Sequence, residues 1–362
     1  MYCSKLQKLN RRSAWLLYSL LFLHLAGCSS IGPPTVTRDR FDYVNAISES
    51  YKRQTLLNLV KTRYVDAPVY MDIASVISQY EIGGELGFEL APSFTDNNLL
   101  LGNGKYADRP TITYTPVSGQ KYSRSLLKPL PLSSIILLLQ SGYPIDGIFH
   151  ICVQSINGIQ NRRSSALALR EADSHFVDVL VLLRELQDTG NLFYQLGVAE
   201  EKANMKIGFR PTPNVATRNK QMQFRQLLAL EPNAMEFTVV FGVEPVNNSE
   251  LAVLSRSMTQ VMIEYAADID VPQSDVDEGR VLRSVSASTR KDFSAKPLIR
   301  VHNGVAQPAD AHVSVFYRDK WYWVNDTDLY SKSTLDFLMI LFSLTERGQE
   351  KLQTPIVTVP TY

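Results

Sequence analysis

Apolar residues recur at helical spacing over residues 38–63, where Phe41, Val44 and Ile47 are followed by Leu56, Leu57, Leu59 and Val60. That run predicts a helix carrying a polar patch over 48–55. The period changes at Ala67-Pro68, and "PVYMDIASVISQYEIGGELGFEL" shifts to alternation and β-branched residues. Gly83-Gly84, Gly87 and a Gly102-Asn103-Gly104 turn punctuate the stretch, and Pro110 introduces "TITYTP". A meander of three or four antiparallel strands, packed on the first helix, is the expectation. "PLPLSSIILLLQSGYP" then predicts a short buried helix, capped by Ser133 or Ser134, ended at Gly142 and kept from continuing by Pro144. A second short helix over 145–157 follows. A long amphipathic one over 165–188 should turn Val177, Leu180, Val181, Leu183 and Leu186 inward.

The second half alternates again. "LFYQLGV", "NMKIGFR" and "MEFTVVFG" read as strands, and "SELAVLSRSMTQVMIEYAADI" reads as one helix capped by Ser249. "PLIRVHN" and "AHVSVFYRDKWYWVND" supply three more strands, the last two a hairpin around Arg318-Asp319-Lys320. Ser333 with Asp336 opens "STLDFLMILFSLTERG", a helix apolar enough to be central to a core, and "PIVTVP" is a last strand. Helices mixed with antiparallel strands, without β-α-β alternation, predict an α+β fold. Residues 38–160 and 161–362 form either two regions of one domain or two domains.

The amino terminus carries a different signal. Lys5, Lys8, Arg11 and Arg12 precede an apolar run of about 12 residues, too short for the roughly 20 that a spanning helix needs. The run exits at Leu25-Ala26-Gly27-Cys28, which matches a lipobox. Residues 1–27 therefore read as a lipoprotein signal peptide. Cys28 is the expected lipidation site, alkylated with diacylglycerol and further acylated, for example with palmitate. Each buried methylene contributes roughly 0.8 kcal/mol, so two or three chains hold a protein firmly at a membrane. Residue 29 is Ser and not Asp, which favours the outer membrane, the protein facing the periplasm. A tether over 28–37 reaches only about 30 Å when extended.

Cleavage before Cys28 removes four of the 37 basic residues and none of the 36 acidic ones, so the mature chain is faintly acidic. Interspersed charge of that kind excludes the footprint of a nucleic-acid binder. Of the three cysteines only Cys28 and Cys152 remain, and Cys152, in "IFHICVQSI", reads as a small buried hydrophobe. His150, His175, His302 and His312 show no metal-ligand spacing. His175 stands between Asp173 and Asp178, where an imidazole can serve as a base, but a solvated helix face is the plainer reading. Ser164 and Ser165 lack a G-x-S-x-G frame. Asp268, Asp270, Asp275, Asp277 and Glu278 depart from calcium-loop spacing, and an acidic, proline-broken loop is expected there. No metal or cofactor is expected.

The aromatic hairpin remains. With 318–320 as its loop, Tyr317 faces Trp321 and Val315 faces Trp323, leaving Phe316 and Tyr322 on the opposite side. Burial of the tryptophans against the helix after Ser333 is the first expectation. A contact for a glycan or protein partner through Tyr317, Trp321 and Trp323 is the second.

The runs "YVNAISESYKRQTLLNLVKTRYVDAPVYMDIASVISQY", "RPTITYTPVSGQKYSRSLLKPLP", "VQSINGIQNR", "DVDEGR" and "KWYWVNDTDLYSKSTLDFLMILFSL" together resemble a family of uncharacterised proteobacterial outer-membrane lipoproteins. The resemblance implies a cell-envelope lipoprotein and brings no catalytic residue with it. The expected function is a non-enzymatic binding or assembly component with an envelope protein or glycan partner. The alternative is an envelope hydrolase acting on glycan or peptidoglycan through residues distant in sequence.

Overall fold

The computed structural model describes residues 33–77, 80–89, 99–108, 111–117, 124, 126–165, 168–199, 202–281 and 297–346. Residues 1–27, Cys28 and "PIVTVP" lie outside the described residues. The fold is α+β, with helices interspersed among mainly antiparallel sheets. Contacts divide the chain into Met1–Gln54 and Thr55–Tyr362.

In the first unit, residues 33–54 belong to helix α1 (Pro33–Arg63). Proline suits a first helical turn, and residues 33–37, the end of the expected tether, belong to this helix. Glu49 pairs with Lys52 at 2.9 Å and with Arg53 at 2.9 Å along this helix, while Phe41 and Val44 are exposed.

The second unit begins with the buried end of α1, where Leu56, Leu59 and Val60 enter the core. The helix stops in a Schellman turn: the Asp66 amide donates to Lys61 O at 2.8 Å and the Val65 amide to Thr62 O at 3.1 Å. Val65 holds the left-handed position, φ 60°, where glycine is usual and a β-branched residue is an outlier. Asn58 then ties the departing chain, its amide donating to Val69 O at 2.8 Å and accepting from the Val69 amide at 3.0 Å.

Strands β1 (Tyr70–Ile77), β2 (Tyr80–Glu89), β3 (Leu99–Asp108) and β4 (Thr111–Val117) form a nested pair of ladders and not a meander. β1 pairs with β4, and β2 with β3. Gly104 stands in the β2–β3 ladder opposite Gly84, so Gly102-Asn103-Gly104 is strand and not turn.

Helix α2 (Leu132–Gln140) is capped by the backbone at Pro131, without a side-chain bond from Ser133 or Ser134. Helix α3 (Ile145–Cys152) is shorter than expected, because β5 (Val153–Ile156) begins directly after it. β5 turns at Asn157-Gly158 into β6 (Ile159–Gln160). Two residue pairs, β7 (Arg163–Ser164) just before the expected long helix and β8 (Leu169–Arg170) within its start, form a ladder there. Helix α4 therefore spans only Ser174–Asp188, with Phe176, Val179, Leu180, Leu182, Leu183 and Leu186 buried and Val181 exposed.

β9 (Leu192–Ala199), β10 (Lys202–Phe209) and β11 (Glu236–Phe241) are strands as expected, with helix α5 (Val215–Leu227) between the last two. The helix expected from Ser249 is instead two elements. Residues Glu250–Ser255 form strand β12, and helix α6 (Met258–Ala267) follows. β12 lies in the middle of a six-stranded sheet of order β6-β5-β12-β11-β10-β9, parallel to β11 and antiparallel to β5. The cap of α6 is Ser257, in a reciprocal capping box with Gln260. A short helix α7 (Gln273–Asp277) follows. Strands β13 (His302–Gly304), β14 (Ala311–Tyr317) and β15 (Lys320–Asn325) make a second sheet, β15 central. Helix α8 (Leu329–Glu346) opens four residues earlier than Ser333, over Asp328, whose carboxylate accepts from the Ser331 amide and hydroxyl at 3.1 and 2.8 Å. It packs on α6 and β15, with Leu335, Leu338 and Leu341 buried and Ile340 exposed, so its burial is one-sided.

Candidate functional site

The β14–β15 hairpin turns on two residues, not three. Arg318 and Asp319 have φ of 48° and 60°, the left-handed pair of a type I′ turn, whose twist matches that of the flanking strands. Lys320 consequently joins the ladder opposite Tyr317, and the register moves by one residue from the expected one. Phe316 stands opposite Trp321, Val315 opposite Tyr322 and Ser314 opposite Trp323. Alternation then places Val313, Val315, Tyr322 and Val324 on the buried face. Trp321 and Trp323 point the other way, only partly covered. The expectation that the tryptophans are buried against the last helix is thus overturned: the tighter turn puts Tyr322 into the core in their stead.

Tyr322 and Tyr64 share a hydrogen bond of 2.7 Å between hydroxyls, and Tyr64 donates to Asp275 at 2.5 Å. Burial, with Asp275 and Tyr322 adding to it, pushes the Tyr64 phenol well up. Tyr317 donates to Asp66, and the Arg318 guanidinium lies 5.0 Å above the Tyr64 ring. The hairpin tip is thereby clasped to the end of α1. Tyr317 belongs to this clasp and not to an outer contact surface.

The outward face carries Trp321 and Phe316 with rings 5.4 Å apart, and Phe316 is 53% exposed. The Trp323 ring lies 5.7 Å from His302, and its indole N–H donates to Asn325 Oδ1 at 2.8 Å. Asn325 in turn bonds His302 Nε2 at 3.2 Å. A Cβ on Gly304 would come within 3.2 Å of the Trp323 ring, so any larger residue there would push the indole by a few tenths of an ångström. Along this face stand His302, Ser314, Phe316, Trp321, Trp323 and Asn325, with no Lys, Arg, Asp or Glu among them. A neutral aromatic surface beside amide, imidazole and hydroxyl groups suits a neutral, hydroxyl-rich ligand.

A buried polar network that the sequence does not announce lies under α3. Its carboxyl end is inside the protein, where open carbonyls are costly. Arg256 meets them, donating to His150 O at 2.7 Å, Ile151 O at 2.9 Å and also Arg162 O. The Asn161 amide donates to His150 O at 3.0 Å and Val153 O at 2.7 Å. Arg162, 1% exposed, pairs with Glu264 at 3.0 Å and Asp268 at 3.3 Å. Glu264 also lies 3.5 Å from Arg256. Two guanidiniums and two carboxylates thus balance. Burial pulls the Arg256 guanidinium down to about 10 against the support of Glu264, so it stays charged at neutral pH. For Arg162 burial is outweighed by Asp268 and Glu264, and its pKa is raised.

That network also places several sequence candidates. Ser164 donates its amide and hydroxyl to Glu264 at 2.7 and 2.8 Å, so its hydroxyl binds structure and faces no imidazole base. Cys152 is fully buried, and burial pushes its thiol up to about 12, as befits the small hydrophobe expected. His175 is exposed on α4. His150 is buried. The acidic run disperses: Asp268 holds Arg162 and the Leu298 amide, Asp275 holds Tyr64, and Asp277 accepts from Gln273. Among the described residues no group of His, Cys, Asp or Glu is placed to hold a metal.

A half-open cleft of about 300 Å³ lies between the end of α1 and α6. Its floor is the α6 stripe Thr259, Met262, Ile263, Ala266 and Ala267, and its wall is formed by Thr62, Arg63 and Val65 to Pro68, with Ser165 at one side. No described helix is long and apolar enough to cross a membrane. No family model, curated protein or solved structure matches this chain.

Proposed function

We propose that the protein is a lipid-anchored component of the cell envelope, of the kind its lipobox and quoted runs resemble. It acts as a non-enzymatic binding module whose ligand is an envelope glycan. The outward row Phe316–Trp321–Trp323 carries this reading. An aromatic row with Phe316 exposed and Trp321 and Trp323 half-buried suits a partner, and a row that itself holds no charged side chain fits a sugar better than an anion.

The anchor is tested at Cys28. Cys28→Ala should accumulate as unprocessed precursor and leave the outer-membrane fraction. Normal cleavage with normal fractionation of that variant would remove the anchor from the proposal.

The glycan is tested at Phe316, whose exposed ring can be removed with little effect on folding. Phe316→Ser should weaken retention on purified peptidoglycan or envelope polysaccharide about tenfold, the loss of one stacked ring, with the melting temperature nearly unchanged. Unchanged retention would exclude the glycan. Unchanged retention with crosslinking of an envelope protein through position 316 would put a protein in its place.

A further inference from the structure

We infer that the cleft between α1 and α6 binds the unbranched hydrocarbon chain of a single-chain amphiphile, a site separate from the aromatic face. Its lining includes polar residues, but each is already engaged by the fold. The Thr62 hydroxyl donates to Asn58 O at 2.7 Å, that of Thr259 to Leu126 O at 3.1 Å and that of Ser165 to Ala168 O at 3.0 Å. Asp66 accepts from Tyr317 and faces Arg318 at 3.7 Å, and Arg63 Nε donates to Ile269 O at 3.3 Å. What the cleft offers a ligand is therefore mainly methyl and methylene surface: Val65, Pro68, Met262, Ile263, Ala266 and Ala267.

That surface selects among apolar ligands. A peptide segment would bring backbone amides into a cleft lined mainly by apolar side chains, and burying them unpaired is costly. An alkyl chain brings none. At roughly 30 Å³ for a water-sized group, the volume of about 300 Å³ holds on the order of ten methylenes. Met262 is an adaptable wall for a chain without fixed shape.

Val65 adds a second observation. It holds φ 60° yet is 68% exposed, so the core gains little from its side chain. Asparagine or glycine would sit at that position with less strain. The apolar wall that Val65 gives the cleft accounts for the valine.

The test is calorimetric titration of the chain from Cys28 onward, carrying Cys28→Ser so that no acyl group of its own competes. Decanoate is the probe and tri-leucine the comparison. Decanoate should bind saturably, one per chain, and tri-leucine should not. Val65→Asn should weaken decanoate roughly tenfold, the loss of one apolar contact, while the melting temperature holds or rises. Ala267→Phe should fill the cleft and abolish binding, and Phe316→Ser should leave it intact. Absence of saturable binding, tri-leucine binding as tight as decanoate, or full affinity in Val65→Asn would each overturn the inference. Should Ala267→Phe fail to fold, Val65→Asn decides alone.

Discussion

Glu264→Gln is expected to cost about 3–5 kcal/mol of stability, the range for breaking a buried ion pair by removing one partner. Glutamine keeps the shape and keeps an acceptor for Ser164, so a cavity is not the cause. The cause is charge. Arg162 and Arg256 are both buried and both protonated, and Glu264 lies against each, at 3.0 and 3.5 Å. Without it, two guanidiniums are left with the one carboxylate of Asp268, which lies against Arg162, in a medium that solvates neither well. Arg256 cannot simply withdraw, because its donors close the carboxyl end of α3 through His150 O and Ile151 O. Urea unfolding at constant m-value measures the loss. A loss under about 1 kcal/mol would show that the arginines are compensated without Glu264 and that the network account is wrong.

The second large effect is at Tyr322. Tyr322→Ala should cost about 3–5 kcal/mol, as truncation of a fully buried aromatic residue does. Tyr322→Phe should cost only about 1 kcal/mol, because it removes one hydrogen bond and leaves Tyr64 its bond to Asp275. Trp323→Ala, on the outward face, should cost clearly less than Tyr322→Ala. Thermal unfolding of the three variants side by side reads the order. If Trp323→Ala were the most damaging of them, the face assignment of the hairpin would be reversed and the tryptophans returned to the core.

Much of the fold is legible along the chain wherever one local period decides. The helical spacing of α1, the apolar run of α2 and the alternation of β9, β10, β11 and the β14–β15 hairpin all announce their elements, because the period of the apolar positions is local. The α6 cap was legible too: Ser257 and Gln260 stand at capping-box spacing, a signal inside the run read as one helix. Only the tertiary structure turns Glu250–Ser255 into a strand. Leu251, Ala252 and Val253 are buried between β5 and β11, and ladder bonds to strands from residues 153–156 and 236–241 outweigh the helical preference of Glu250, Leu251, Ala252 and Leu254. The same holds for the face of the hairpin. One residue of loop length, set by left-handed backbone at Arg318 and Asp319, exchanges Trp321 and Trp323 for Tyr322 in the core. Arg162, Arg256, Glu264 and Asp268 carry no shared motif, and their meeting follows from burying the end of α3. The lipobox stands at the other extreme: four adjacent residues state it, and no fold is needed to read them.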